Sequence, residues 1–233
     1  MASKKIKFSK FFKDNWVITL FSTMFGVIAG LYLTDYYEGK QLNESKENAI
    51  IMVKQEIDNN REELLRYDSI CRRMYERSSY VFSKMNANIE IFIHKDSTKI
   101  FEENSDGIIE DLRFEDYLKH RDTVQVKGEM NMFVGSKLAL LDLNDVIWQS
   151  YKQTDYMNIT SFTCITGLEE VYQFQQKNNN VNKEWLGELT SGSFLQSEAQ
   201  LSEFMFLWDK ALGVNQTLLN TYDSLDAIFK DCK

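Results

Sequence analysis

Eighteen consecutive residues near the start of the chain, Trp16 to Leu33 (WVITLFSTMFGVIAGLYL), carry no charge. At about 1.5 Å per residue, a helix of that length spans about 27 Å, close to the roughly 30 Å hydrocarbon core of a bilayer. Trp16 stands at one edge and Tyr32, Tyr36 and Tyr37 at the other, where amphipathic rings favour the headgroup level. Residues 16–34 are therefore expected to form a transmembrane helix, and this expectation shapes the rest.

Lysine bias sets the orientation. Lys4, Lys5, Lys7, Lys10 and Lys13 precede the span, whereas only Lys40 and Lys46 follow it within a similar distance. The positive-inside rule makes residues 1–15 a basic cytoplasmic segment and places residues 35–233 in the periplasm or outside the cell, on a protein of the inner (cytoplasmic) membrane. Two alternatives stay open. Val27-Ile28-Ala29 offers the small residues of a signal-peptidase site, although the apolar stretch continues four residues beyond it. The orientation could also be reversed. Within the span, Ser22, Gly26, Gly30 and Thr34 recur every fourth residue and line one helix face, where small side chains let another backbone approach. That is a candidate pairing face; its bland alternative is that glycine is common in membrane helices.

Proline is absent, and 10 of 233 residues are glycine. Average usage is roughly 5% proline and 7% glycine, so the chain is poor in turn formers and expected to be helical. Of the net charge of −8, residues 1–15 carry +4 and 16–34 none, leaving −12 on the remainder. Such an acidic domain repels phosphate backbones, so no nucleic acid is expected as a partner.

After the span, Ile50, Val53, Ile57, Leu64, Tyr67, Cys71, Met74, Val81, Met85 and Phe92 alternate by three and four, or sum to seven across Asn60 and Ser78. This heptad-like seam predicts one long helix over about 39–93, continuous with the span or hinged to it near Gly39, and coiled-coil-like in pattern. Its stripe has to be buried against a twin chain or against later helices. Residues 94–107 read as a polar loop, and Ile108–Leu118 as a short helix. Val124 and Val126 alternate before Gly128, and Met130, Met132 and Val134 after it, which suggests a small β-hairpin near 123–134 or an extended cover. Two helical tracts follow. Residues 142–177 form a helix pair or broken helix that the solvated run Lys177-Asn178-Asn179-Asn180 ends. Ser197 to Lys230 opens on a capping-box spacing at Ser197 and Gln200 and is interrupted by Gly213. The expected fold class is all-α: a transmembrane helix, then an antiparallel bundle of three or four long helices.

The layout is a short basic start, one span, a long acidic helix with Glu56 and Asn60, and a second half with Trp148, Met157, Leu168, Tyr172 and Gln175 at their particular spacings. It resembles the uncharacterised single-span helical membrane proteins of bacteria, especially of the Bacteroidota. The resemblance implies the anchor and the bundle and brings no activity.

Chemistry is sparse. His94 and His120 sit in separate polar segments without metal-ligand spacing, so no metal and no cofactor is expected. Cys71, Cys164 and Cys232 form no C-x-x-C; two of them could pair in an oxidising compartment, but Cys71 and Cys164 read as small core residues and Cys232 as an exposed cysteine able to link two chains. No phosphate-binding loop or nucleophile elbow appears. Trp148, Tyr151, Tyr172, Trp208 and Tyr222 fall at helical spacing and read as core rather than as a ligand groove. The expected function is not enzymatic: a membrane-anchored helical scaffold or accessory protein that binds a partner protein or itself as an oligomer. The alternative is an extracytoplasmic ligand-sensing bundle that acts through a membrane partner.

Overall fold

The computed structural model describes residues 15–117, 120–130 and 141–232. The basic segment up to residue 14 and the expected second half of a hairpin at 131–134 lie outside the described residues. The protein is mostly helical, as expected, but it is not all-α: a three-stranded antiparallel sheet is set among its helices. The chain divides into two compact units, Met1–Ile51 and Met52–Lys233, and each is described by itself.

The described part of the first unit is the beginning of one helix, α1 (Asn15–Phe82). The backbone is helical straight through Gly39, so this residue is no hinge. From Ile18 to Gln41 every residue is exposed except the half-buried Ala29. Two hydroxyls there bond backward along the helix, Thr23 Oγ1 to the Thr19 carbonyl (2.8 Å) and Thr34 Oγ1 to the Gly30 carbonyl (3.0 Å). Such bonds leave fewer polar groups in need of water.

In the second unit α1 ends at Phe82, eleven residues short of the expected Ile93. Asn86 is the reason. Its side-chain oxygen accepts from the backbone N–H of Asn88 and of Glu90, both at 2.9 Å, and so builds a turn where a helix would need those donors. Ile89 sits in that turn at φ 62°, a conformation a β-branched residue seldom takes. The chain then enters β1 (Ile91–His94), so Phe92 belongs to a strand and not to the seam. The expected polar loop contains α2 (Thr98–Ser105), and the expected helix at 108–118 is β2 (Ile109–Asp116). The valine alternation does mark a strand, β3 (Thr123–Met130), but both partners precede it: β3 forms a hairpin with β2 and also pairs with the more distant β1, in the order β1-β3-β2, with Ile91 and Phe114 both opposite Val126.

Ile91, Ile93, Val124 and Val126 are buried on one face of this sheet, as the two-residue period of a strand requires. Phe101 of α2 packs between Tyr80 of α1 and Phe114 of β2. A bulge follows Glu110, where Asp111 takes φ 51° and two β2 residues face one on β3. That one residue is Gly128. A Cβ there would lie 2.4 Å from Ile109 Cγ2 and 2.6 Å from the Glu110 carbonyl oxygen, so the bulge closes only over glycine.

Beyond the sheet come α3 (Val146–Lys152), α4 (Phe162–Ser191), α5 (Glu198–Asp223) and α6 (Asp226–Asp231). α4 runs unbroken through the asparagines that the sequence suggested as its end. It stops at Gly192, whose φ of 66° is a left-handed cap. The Ser197 hydroxyl accepts from the Gln200 N–H (3.3 Å) and starts α5, which continues through Gly213. Side-chain contacts fix the directions. Glu56 and Asn60 of α1 meet Tyr172 and Gln175 of α4 in ascending order, whereas Arg61, Arg72 and Tyr75 meet Asp223, Gln216 and Trp208 of α5 in descending order. In this unit α1 and α4 run the same way, and α5 runs against both.

Gly128→Ala is expected to cost about 1–3 kcal/mol by overpacking the bulge. Gly187→Ala, on the exposed face of α4 with open space at its Cβ position, is expected to be neutral or to stabilise by up to about 1 kcal/mol. Urea titration of the two variants measures both; equal midpoints would mean that the bulge does not need its glycine.

Candidate functional site

Two places in the molecule stand out from an ordinary helical core: an apolar surface on the first part of α1, and a polar interior between α1, α3, α4 and α5.

The apolar surface comprises Trp16, Ile18, Leu20, Phe21, Met24, Phe25, Val27, Ile28, Leu31, Tyr32 and Leu33, each about half exposed or more. Long enough and apolar enough to cross a membrane, this stretch has none of its most apolar window buried. A helix of a globular protein keeps a polar face toward water, and this stretch has none. Ser22, Gly26, Gly30 and Thr34 are all exposed, with open space at the Cβ positions of both glycines.

The seam residues lie elsewhere. Ile50, Val53, Ile57, Leu64, Tyr67, Cys71 and Val81 are buried, and Met74 and Met85 half-buried, with Met85 beyond the helix end in an isolated bridge to Ile91. The polar seam positions Asn60 and Ser78 are buried too.

Around Asn60 the interior becomes a hydrogen-bonded network. The Glu56 carboxylate, 6% exposed, accepts from the backbone N–H of Ile147 (2.8 Å) and of Trp148 (3.4 Å) and from the Tyr172 hydroxyl (2.7 Å). These are free donors of the first turn of α3, whose own cap residue, Asp145, makes no side-chain bond to them. Glu56 of α1 thus caps a helix that follows it by 90 residues, and its charge suits the positive end of that helix. One turn on, the Asn60 amide brackets Asn144, donating to its carbonyl (2.7 Å) and accepting from its N–H (2.9 Å). Gln175 donates to the same carbonyl (2.8 Å) and accepts from Asn60 Nδ2 (3.1 Å) and the Tyr222 hydroxyl (2.8 Å). Asn179 makes a matching pair with the Leu143 backbone, both bonds at 3.3 Å. The strand-like connection into α3 is therefore held by side-chain amides acting as an edge strand would. Burial, followed by the hydrogen bond to Glu56, pushes the Tyr172 hydroxyl far above its ordinary value, so it stays a donor. Trp148 stacks on Tyr172, 5.6 Å between centroids, and donates to Glu169 (3.0 Å). Burial alone would raise the Glu169 carboxyl; the bonds from Trp148 and Lys152 outweigh it and hold it below the usual carboxylate range.

Two turns further along α4 the interior is polar again but less well paired. Asn178 Nδ2 and Asn182 Nδ2 donate to Asn215 Oδ1 at 2.9 and 2.8 Å. Beside them Trp185 and Trp208 lie 5.0 Å apart and are fully buried. Asn182 Oδ1, Asn215 Nδ2 and both indole Nε1 atoms have no partner among the described residues. Left without any partner, each such atom would cost about 1–3 kcal/mol.

The histidines play no shared role. His94 is exposed and accepts from the Asp96 N–H, and His120 stacks on Tyr117. Among the described residues no group of three or more His, Cys, Asp or Glu side chains is placed to hold a metal. A cleft of about 500 Å³ opens between α1 and α5 beside Tyr75 and Asp209, where Arg72 is already engaged by Asp68 (2.6 Å) and Gln216 (3.3 Å).

Cys71 and Cys164 are buried, as expected, but Cys232 differs from its expected exposure. Cys164 and Cys232 form a disulfide, and both are buried, so Cys232 is not an exposed linker. Ser161 Oγ donates to the Asp231 carbonyl at 2.6 Å beside the bond and ties the same two chain ends. Cys71 is the free thiol among them, and burial pushes it up to about 12. The pairing across 68 residues was not legible in the spacing. The asparagine core was missed because consecutive asparagines resemble a solvated break; their recurrence at 178, 182 and, on α5, 215 is visible only once the helices are paired.

The chain matches no protein-family model, no curated protein and no solved structure.

Glu56→Ala leaves two backbone donors and a tyrosine hydroxyl buried without an acceptor, and should destabilise the domain by about 3 kcal/mol or more. Tyr172→Phe, which removes only one donor, should cost about 1 kcal/mol. Denaturation monitored by tryptophan fluorescence tests this order; a harmless Glu56→Ala would show that α3 is capped by something else. For the disulfide, closing a loop of 68 residues is worth up to about 4 kcal/mol. Cys164→Ser with Cys232→Ser should lower stability by that order, while Cys71 in the folded parent resists alkylation. Modification of Cys71 as fast as in the unfolded chain would contradict its burial.

Proposed function

We propose that this chain is a membrane-anchored helical scaffold or accessory protein of the cell envelope, which binds a partner protein or a second copy of itself. On this reading residues 16–34 span the inner membrane, the basic segment stays in the cytoplasm, and the domain from about residue 35 onward is a helical bundle on the far side. The resemblance to single-span proteins of the Bacteroidota fits the same layout.

The observation that carries the reading is the apolar surface on the first part of α1. An apolar face on every side of a helix has to be covered by lipid or protein, because exposed patches far smaller than this one mark interaction sites on soluble proteins. The disulfide supports the placement independently, since such bonds persist in oxidising compartments and are rare in the cytosol. The exposed face of Ser22, Gly26, Gly30 and Thr34 supports pairing within the membrane. The seam supports no second chain, because Val53, Ile57, Leu64 and Cys71 are already buried within this one. A ligand-sensing role would call for a concave polar site, and the Arg72 cleft has its charge engaged internally.

Expressed in bacteria, the full chain should sediment with membranes and resist extraction by alkaline carbonate. Crosslinking in detergent should yield a dimer or a partner adduct that Gly26→Ile with Gly30→Ile reduces several-fold. An uncut full-length product in the soluble fraction would end the anchor reading; a membrane-bound protein that crosslinks to nothing would end the scaffold reading alone.

A further inference from the structure

We infer that the interior between α4 and α5 binds one or two structural water molecules at a site formed by Asn182, Trp185, Trp208 and Asn215. These four residues form one contiguous cluster. Asn182 bonds to Asn215 across the helix pair at 2.8 Å, Trp185 follows Asn182 by one helical turn, and Trp185 and Trp208 are 5.0 Å apart. Asn215, Trp185 and Trp208 are fully buried and Asn182 is 2% exposed, so bulk solvent reaches none of them.

The inventory of unpaired atoms selects the ligand. Three are donors, Asn215 Nδ2, Trp185 Nε1 and Trp208 Nε1, and one is an acceptor, Asn182 Oδ1. An anion would serve the donors and be repelled by Asn182 Oδ1, whereas a cation would do the reverse. Water both accepts and donates, so it alone among these can serve both kinds of atom. Reversing the amides does not remove the need. Asn178 and Asn182 both donate to Asn215 Oδ1, so turning Asn215 would set donor against donor at 2.9 and 2.8 Å.

The neighbouring network provides a contrast. Around Glu56 and Asn60 every polar group has found a protein partner, with backbone from the α3 connection supplying several. Among the described residues no backbone group bonds to the four unpaired atoms, and helix carbonyls there are committed along α4 and α5. Buried polar groups in that position are ordinarily bridged by internal water, at a frequency of about one per 27 residues.

The indole protons give a direct readout. With 15N-tryptophan-labelled full-length protein in detergent, and Trp16→Phe and Trp148→Phe variants for assignment, the Hε1 signals of Trp185 and Trp208 should show cross-peaks to water. Their sign should be that of a molecule held longer than about a nanosecond, and Asn182→Leu should abolish or weaken at least one several-fold. Indoles without water cross-peaks in the folded protein would overturn the inference. So would cross-peaks indifferent to Asn182→Leu, or a co-purifying small molecule detected by native mass spectrometry at this site. If Asn182→Leu fails to fold, the parent protein decides alone: absence of water cross-peaks at Hε1 of Trp185 and Trp208 overturns the site.

Discussion

The Glu56 carboxylate stands where three helices depend on one side chain. It terminates the donors of α3, it holds the hydroxyl of Tyr172 on α4, and it does so from α1, with Asn60 one turn away fixing Asn144 and Gln175. Apolar contacts alone would leave α1 and α4 free to slide by a turn, because leucines and isoleucines at heptad spacing look alike from one turn to the next. Polar groups that find partners in only one register remove that freedom. The parallel course of α1 and α4, linked through a sheet and α3, follows from this network rather than from a short connection, which would have forced neighbouring helices to run opposite ways.

Much of this architecture is legible in the residues, and where legibility fails the reasons are physical. The uncharged stretch and the seam are long and periodic, so they identify a helix and its inward face at Val53, Ile57 and Leu64. Even the polar positions Asn60 and Ser78 fall on that face. The short segments are ambiguous. Ile108, Ile109 and Leu112 have helical spacing at the start of a strand, and Phe92 continues the seven-residue count past a turn that a single asparagine makes. β3 shows its alternation plainly, but no local signal tells that it pairs backward with β2, and with β1 some 30 residues upstream, rather than forward across Gly128. Cys164 and Cys232, and Asn178 and Asn215, depend on contacts that exist only after α4 and α5 have paired.

The same helix meets two different demands along its length. Over residues 16–34 every side chain is apolar or small, and the Thr23 and Thr34 hydroxyls are satisfied by the helix itself. From Val53 onward a narrow buried stripe alternates with charge, and buried polar groups such as Glu56 and Asn60 are satisfied from elsewhere in the chain. That contrast is what the two solvents of a membrane-anchored protein would require: a hydrocarbon phase offers a polar group no partner beyond its own segment, whereas a folded domain can supply one from anywhere in the chain.

This division bears on how such a protein could associate. Heptad seams are usually read as surfaces for a second chain, yet here the positions that would form the knobs are enclosed by α4 and α5. A second copy that used the seam would have to displace those helices, and with them the Glu56 and Asn60 network, leaving a carboxylate and several backbone donors unpaired. Each lost bond would cost about as much as a buried methyl contact gains. Association through the domain core is therefore opposed by its polar groups. The small-residue face from Ser22 to Thr34 meets no such opposition, because its glycines are uncovered and its Thr34 hydroxyl is already satisfied. If two chains pair, the physics favours pairing there.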